Sequence, residues 1–211
     1  MRVFHFRNAQ FGIKSLRERR LKIARITKLN DPFEFLGMEL SDCRFRKDIH
    51  AAQNKFSKST GILCFSASWR NPVQWTHYAE QHSGIAMGFD VPDELLSKIH
   101  YVTERLPAIA PVDSATMKRC LTTKFAHWSY EEEYRRFIRL AFATRENGFY
   151  FLPFSDDLRL KEVIVGPKSR LSRLEVIDAL GELAPEVTVF KSRPAYKTFR
   201  VVKNQNAKLW A

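Results

Sequence analysis

Cysteine is scarce in this chain of 211 residues. Cys43, Cys64 and Cys120 are too few and too scattered for a disulfide framework, and no pair has zinc-finger spacing. No run approaches the roughly 18–20 apolar residues that span a bilayer, and Met1–Arg7 does not lead into the apolar stretch of a secretory signal. Together these set the expectation of a cytoplasmic protein that makes no use of a membrane. Repeats, low-complexity tracts and Ser/Gly linkers are missing too, which leaves one domain over 1–211. The absence of G-x-G-x-x-G and of the Walker lysine loop argues against Rossmann and P-loop nucleotide sites. There is no G-x-S-x-G elbow to support serine-hydrolase chemistry. His77 and His82 are five apart on a helical stretch, about 140° around it, so they form no i, i+4 pair, and no metal site is expected.

What the chain has is a hydrophobic content of 45%, enough for a folded core, and a net charge of +12. The charge is unevenly placed. Residues 1–58 carry 14 basic and 6 acidic side chains, residues 59–158 carry 10 and 12, and residues 159–211 carry 11 and 5. Two basic flanks around a nearly neutral middle favour a polyanionic partner, nucleic acid above all. The candidate contacts are Arg17, Arg19, Arg20 and Lys22 on one flank, and Lys191, Arg193, Lys197, Arg200 and Lys203 on the other.

Patterning predicts an α+β fold without regular βαβ alternation. Strands are expected at Val3–Arg7, Leu21–Ile26, Gly61–Phe65, Gly84–Val91, Glu133–Phe142, Phe149–Phe154 and Lys161–Val165, with a final hairpin over Val187–Val202 around Pro194. Helices are expected at Ala9–Arg20, from Pro72, from Pro92 towards Ile99, at about 114–126 and at Leu171–Leu183. Asn30–Glu34 reads as a further helix start, with Asp31 as cap, Pro32 in the first position and Glu34 three residues after the cap. Asn71, Pro72 and Gln74 repeat that pattern, and Trp75, Tyr78, Ala79 and His82 follow as a stripe at helical spacing.

Three groups could carry chemistry. His5 is a polar residue central to the first strand, with Arg7 further along the same face. Ser66 and Ser68 end the apolar GILCF strand, where they could hold a hydroxyl or close the loop. Glu131 and Glu133, if extended, share a face with Arg135, and two carboxylates facing one space push their pKa values apart. Trp75 and Tyr78 offer flat rings against which a nicotinamide or base could stack, although core packing explains such a stripe equally.

The segments LNDPFE (29–34), CFSASWRNPVQWTHYAEQHSGIAMGFD (64–90), WSYEEEYR (128–135) and LKEVIVGP (160–167) resemble a widespread bacterial family of uncharacterised domains. More loosely, the order His5, Ser66-x-Ser68, Glu131-x-Glu133 is similar to the ADP-ribosyltransferase superfamily, although its usual first-strand Arg is replaced by His5 and its central Thr by Ala67. That resemblance implies a split two-sheet core with peripheral helices and NAD as substrate. His5 and Arg7 would hold the ribose or phosphate of NAD, with Ser66, Ser68, Trp75 and Tyr78 shaping its pocket. Glu133 would stabilise the sugar as nicotinamide leaves, and Glu131 would activate the acceptor. A bacterial toxin or phage-defence enzyme that modifies nucleic acid is the role this implies. The alternatives are a non-catalytic nucleic-acid-binding module, or a nuclease with Glu131 and Glu133 on a metal ion.

Overall fold

Alternation in the strands decides how the layers form. The computed structural model describes residues 1–206, Lys208 and Trp210. Along the chain run β1 (Arg2–Arg7), α1 (Ala9–Arg17), β2 (Arg20–Arg25), α2 (Cys43–Ser59), β3 (Thr60–Ser66), α3 (Pro72–Tyr78), β4 (Ile85–Asp90), β5 (Ser97–Lys98) and β6 (His100–Val102). There follow α4 (Ser114–Thr122), β7 (Thr123–Phe125), β8 (Glu133–Arg139), β9 (Thr144–Glu146), β10 (Phe149–Pro153), β11 (Arg159–Val165), α5 (Arg173–Leu180), β12 (Thr188–Pro194) and β13 (Val201–Lys203). Successive side chains of a strand point to opposite faces. Val3, Met87, Val163 and Val165 accordingly pack in the larger core with Leu16 of α1 and Val176 and Leu180 of α5, whereas Phe4, Ala86 and Ile164 pack in a second core with Trp75 of α3.

The fold is α+β. Among the described residues eleven strands form one mixed sheet, and β6 and β7 form a small second one. Most ladders are antiparallel, and β11–β12 is parallel. The sheet divides at β3. One edge of β3 pairs with β8 along its whole length, from Thr60↔Arg139 to Ser66↔Glu133. The other edge is shared: β1 meets it at Phe4↔Ser66, and β2 at Ala24↔Ile62 and Arg25↔Gly61. Between those contacts β1 and β2 diverge, and the gap they leave is the mouth of a cavity. No helix among the described residues is long and apolar enough to cross a membrane.

Several sequence expectations change. The first helix stops at Arg17, because Arg19 takes a left-handed conformation at φ 50° and turns the chain into β2. Asp31 does accept a hydrogen bond from the Phe33 amide, yet only a turn follows. Pro92 opens a single 3₁₀ turn, Asp93–Leu95, and not a helix. The expected 114–126 helix ends at Thr122, and that expected over Leu171–Leu183 spans Arg173–Leu180 before a 3₁₀ segment. The longest helix, α2, has no counterpart in the sequence expectations: only Phe45, Ile49 and Ser57 of its 17 residues are buried, too sparse a stripe to read. The final hairpin forms as expected.

Candidate functional site

Glu131 closes a 3₁₀ segment, Ala126–Glu131, and Glu133 opens β8; between them Glu132 is left-handed at φ 46°. Glu131 is therefore not on the strand, contrary to the extended reading of 131–135. The reversal still sends Glu132 outward and both neighbouring carboxylates inward. Glu133 and Arg135, two apart on β8, do share a face, and Arg135 Nε donates to Glu133 Oε1 at 2.6 Å.

Around this pair lies a buried ionic cluster. Lys124 Nζ stands 2.6 Å from Glu131 Oε2, 3.2 Å from Glu133 Oε2 and 3.2 Å from Glu34 Oε1. Arg135 is 0% exposed and also binds Glu34 Oε2 at 2.8 Å and the Leu121 carbonyl at 3.0 Å. The Tyr78 hydroxyl donates to Glu131 Oε1, and the Glu133 amide donates to the Tyr101 hydroxyl at 2.9 Å. Three carboxylates face two cations, so the cluster carries one net negative charge out of water. Ion pairing on this scale offsets the desolvation of each member, which none could meet alone.

The two neighbouring glutamates titrate in opposite directions. Burial pushes Glu133 up, but Arg135 through charge and hydrogen bonds, with Lys124, overrides it and holds the carboxyl at about 2. Burial raises Glu131, the charge of Glu133 adds to that, and Lys124 opposes it. Burial disfavours the Lys124 ammonium, yet the three carboxylates hold its pKa above the usual lysine range. Glu133 is nearly saturated: Arg135 donates to it twice and Lys124 once. Glu131 receives only Tyr78 and Lys124, and a carboxylate offers about four acceptor positions.

The cluster lines one side of the cavity at the β1/β2 divergence, of about 210 Å³. His5 stands at the gap. Ile62 and Ser66 find strand partners there, but the carbonyl of Cys64 between them accepts instead from His5 Nδ1 at 2.8 Å. Nδ1 therefore carries the proton, and Nε2 is an acceptor with no partner, out of reach of solvent although His5 as a residue is half-buried. Burial, with the nearby Arg7 charge, lowers His5 to about 3, against the pull of the Cys64 carbonyl, so the ring is neutral at physiological pH. Arg7 is half-buried and burial lowers its pKa. It makes no ion pair among the described residues, and its Nε is buried without a partner. Lys22 is exposed and stands at the same cavity, its pKa lowered by burial and by Arg7.

Six of the eight expected catalytic and pocket residues thus meet at one cavity: His5, Arg7, Ser66, Tyr78, Glu131 and Glu133. Two do not. Trp75 is fully buried in the second core, its Nε1 donating to the Trp69 carbonyl, and shows no face to the cavity. Its proposed stripe is also interrupted, because α3 ends at Tyr78 and His82 lies on a left-handed turn. Ser68 shapes the loop: its hydroxyl accepts from the Arg70 amide, and its carbonyl takes the Ser66 hydroxyl. The basic flanks separate as well. Arg19 is paired with Glu182, Arg20 with Glu18 and Glu146, and Lys191 Nζ donates to the Ser169 carbonyl. Lys22 belongs to the cavity. Arg17, Arg193, Lys197, Arg200 and Lys203 have no carboxylate partner among the described residues.

Sequence reasoning missed Glu34, Lys124, Tyr101 and the part played by Gln74. Glu34 carried a signal, since it lies in LNDPFE, but its spacing from Asp31 reads as capping. Gln74 is 1% exposed and lines the cavity; its Nε2 donates to Ser66 Oγ and to the Tyr130 carbonyl, and its Oε1 is buried without a partner. Among the described residues no cluster of His, Cys, Asp and Glu is arranged to hold a metal ion. Comparison with protein-family models, with curated proteins and with solved structures found no match.

Proposed function

We propose that the cavity binds NAD and that the chain is an ADP-ribosyltransferase-like enzyme. The observation that supports this is a charge-polarised cavity reached by His5, Ser66, Glu131 and Glu133 from three separate segments. The buried carboxylate cluster, net negative, suits a ligand end that is or becomes positive, as the nicotinamide-bearing sugar does. Arg7 and Lys22, without carboxylate partners among the described residues, suit a pyrophosphate. The cavity is smaller than the about 300–1,000 Å³ of most small-ligand pockets, so it takes the nicotinamide–ribose end of the dinucleotide and leaves the rest outside.

Roles follow from the hydrogen bonds. Glu131, with raised pKa and spare acceptor positions, is the base that receives the acceptor's proton. Glu133, held ionised, provides fixed negative charge beside the sugar carbon as its bond to nicotinamide breaks.

Nicotinamide release from NAD, followed by chromatography with RNA, DNA or protein as acceptor, tests the proposal. Glu131→Gln is expected to slow release by about a hundredfold or more, with NAD still protecting the protein against thermal unfolding. Turnover equal to the parent in both Glu131→Gln and Glu133→Gln would end the assignment.

A further inference from the structure

The C-terminal hairpin has features that the cavity chemistry leaves unused. From Val187 to Gln205 the chain holds five cations, Lys191, Arg193, Lys197, Arg200 and Lys203, and no Asp or Glu. The ladder from Ser192↔Lys203 to Pro194↔Val201 fixes its base. The tip closes on itself: the Ala195 amide donates to the Arg200 carbonyl at 2.8 Å, and the Arg200 amide to that of Thr198 at 2.9 Å. On this ordered tip Tyr196 is 90% exposed and Phe199 is 99% exposed. The Arg193 guanidinium lies 4.2 Å from the centre of the Tyr196 ring, which braces one face of the ring and leaves the other to solvent.

Arg70 adds a further cation. The Val201 amide donates to the Arg70 carbonyl at 2.8 Å, which ties the hairpin to the loop after β3. A groove of about 440 Å³ runs among Arg70, Arg193, Tyr196, Lys197 and Lys203. None of these cations has a carboxylate partner among the described residues, whereas Arg2, Arg19 and Arg20 are all paired.

Unneutralised cations along a groove attract a chain of phosphates, and aromatic rings with a free face stack on bases. Bases in a duplex already stack on one another, so two exposed rings gain a partner only from an unpaired strand. We propose that the hairpin tip, together with Arg70, is a docking surface for single-stranded nucleic acid. Arg70 is four positions from Ser66 at the cavity, a chain distance of at most about 15 Å. A strand in the groove therefore passes close to the cavity. Docking itself does not depend on the chemistry proposed for that cavity, and is measured without NAD.

The test is fluorescence anisotropy with a labelled single-stranded oligonucleotide of about a dozen nucleotides, a duplex of the same sequence, and phosphatidylserine–phosphatidylcholine vesicles as competitor. The single strand is expected to bind more tightly than the duplex, with affinity falling steeply with salt at about −0.7 in log–log slope per phosphate contact. Tyr196→Ala with Phe199→Ala is expected to weaken single-strand binding at least about tenfold and to leave duplex binding unchanged. Both rings are exposed, so the melting temperature of this variant should match the parent. Lys197→Glu with Arg200→Glu should weaken both ligands, and Glu131→Gln should bind as the parent does. Equal affinity for duplex and single strand with no effect of the double alanine variant would overturn the proposal, as would vesicles displacing the oligonucleotide and binding more tightly.

Discussion

Arg135→Met removes one charge from the buried cluster while keeping a side chain of similar reach. Arg135 makes five hydrogen bonds, two to Glu133, two to Glu34 and one to the Leu121 carbonyl. Without it, three carboxylates face Lys124 alone, and breaking a buried pair on one side costs about 3–5 kcal/mol. For a domain of this size each kcal/mol moves the melting temperature by about 2–4 °C, so a drop of roughly 10 °C at pH 7 is expected. The pH dependence is the sharper signature. Glu133 is depressed from an ordinary 4.5 to about 2 in the fold. Its contribution is therefore fully present above pH 4.5 and is lost as the pH falls through 2. That window is worth about 3 kcal/mol at 1.36 kcal/mol per pH unit. Removing Arg135 removes the chief cause of the depression. The gap in melting temperature between parent and variant should therefore narrow as the pH is lowered from 7 to 3. Thermal denaturation followed by circular dichroism measures both. A variant that melts with the parent at pH 7, or a gap that stays constant to pH 3, would refute the electrostatic account of the cluster.

His5, lowered to about 3, should show no protonation between pH 8 and 5 by NMR, with the proton on Nδ1; a midpoint near 6.5 would contradict the burial of the ring beside Arg7. Since the unfolded chain takes up that proton near 6.5 and the folded one does not, stability falls as the pH drops below 6.5, by about 2 kcal/mol at pH 5, and His5→Gln should flatten that part of the profile. Gly84→Ala should destabilise the fold by at least about 2 kcal/mol, because an added Cβ would meet the Arg7 carbonyl at 2.1 Å and backbone cannot yield as a side chain does; a variant melting with the parent would show that β1 can shift there.

Local pattern carried the strands and the caps. The alternation of Val3–Arg7, the GILCF run, the Asn71–Pro72 helix start and the C-terminal hairpin follow from steric preferences and from a two-residue period that any one stretch displays. Glu133 and Arg135 sharing a face was likewise legible, because both lie on one strand. Where the pattern was faint or ambiguous it misled. The α2 stripe is too sparse to see, and Asp31 to Glu34 has capping geometry whether or not a helix follows.

The ionic cluster lay beyond that range. Glu34 and Arg135 are 101 positions apart, and nothing near either residue in the chain signals the other. They meet because a carboxylate placed inside the sheet's divergence must find a cation there or lose its charge. The same separation between local and global holds for the charge pattern: composition named two basic flanks, and only tertiary contacts distinguished arginines already neutralised by glutamates from those of the hairpin that are not. The amino-acid sequence alone determined an α+β chain with strands, caps and a basic tail. The tertiary structure decided that β1 and β2 part at the edge of β3, which opens the cavity and exposes to it groups that no short-range period could bring together.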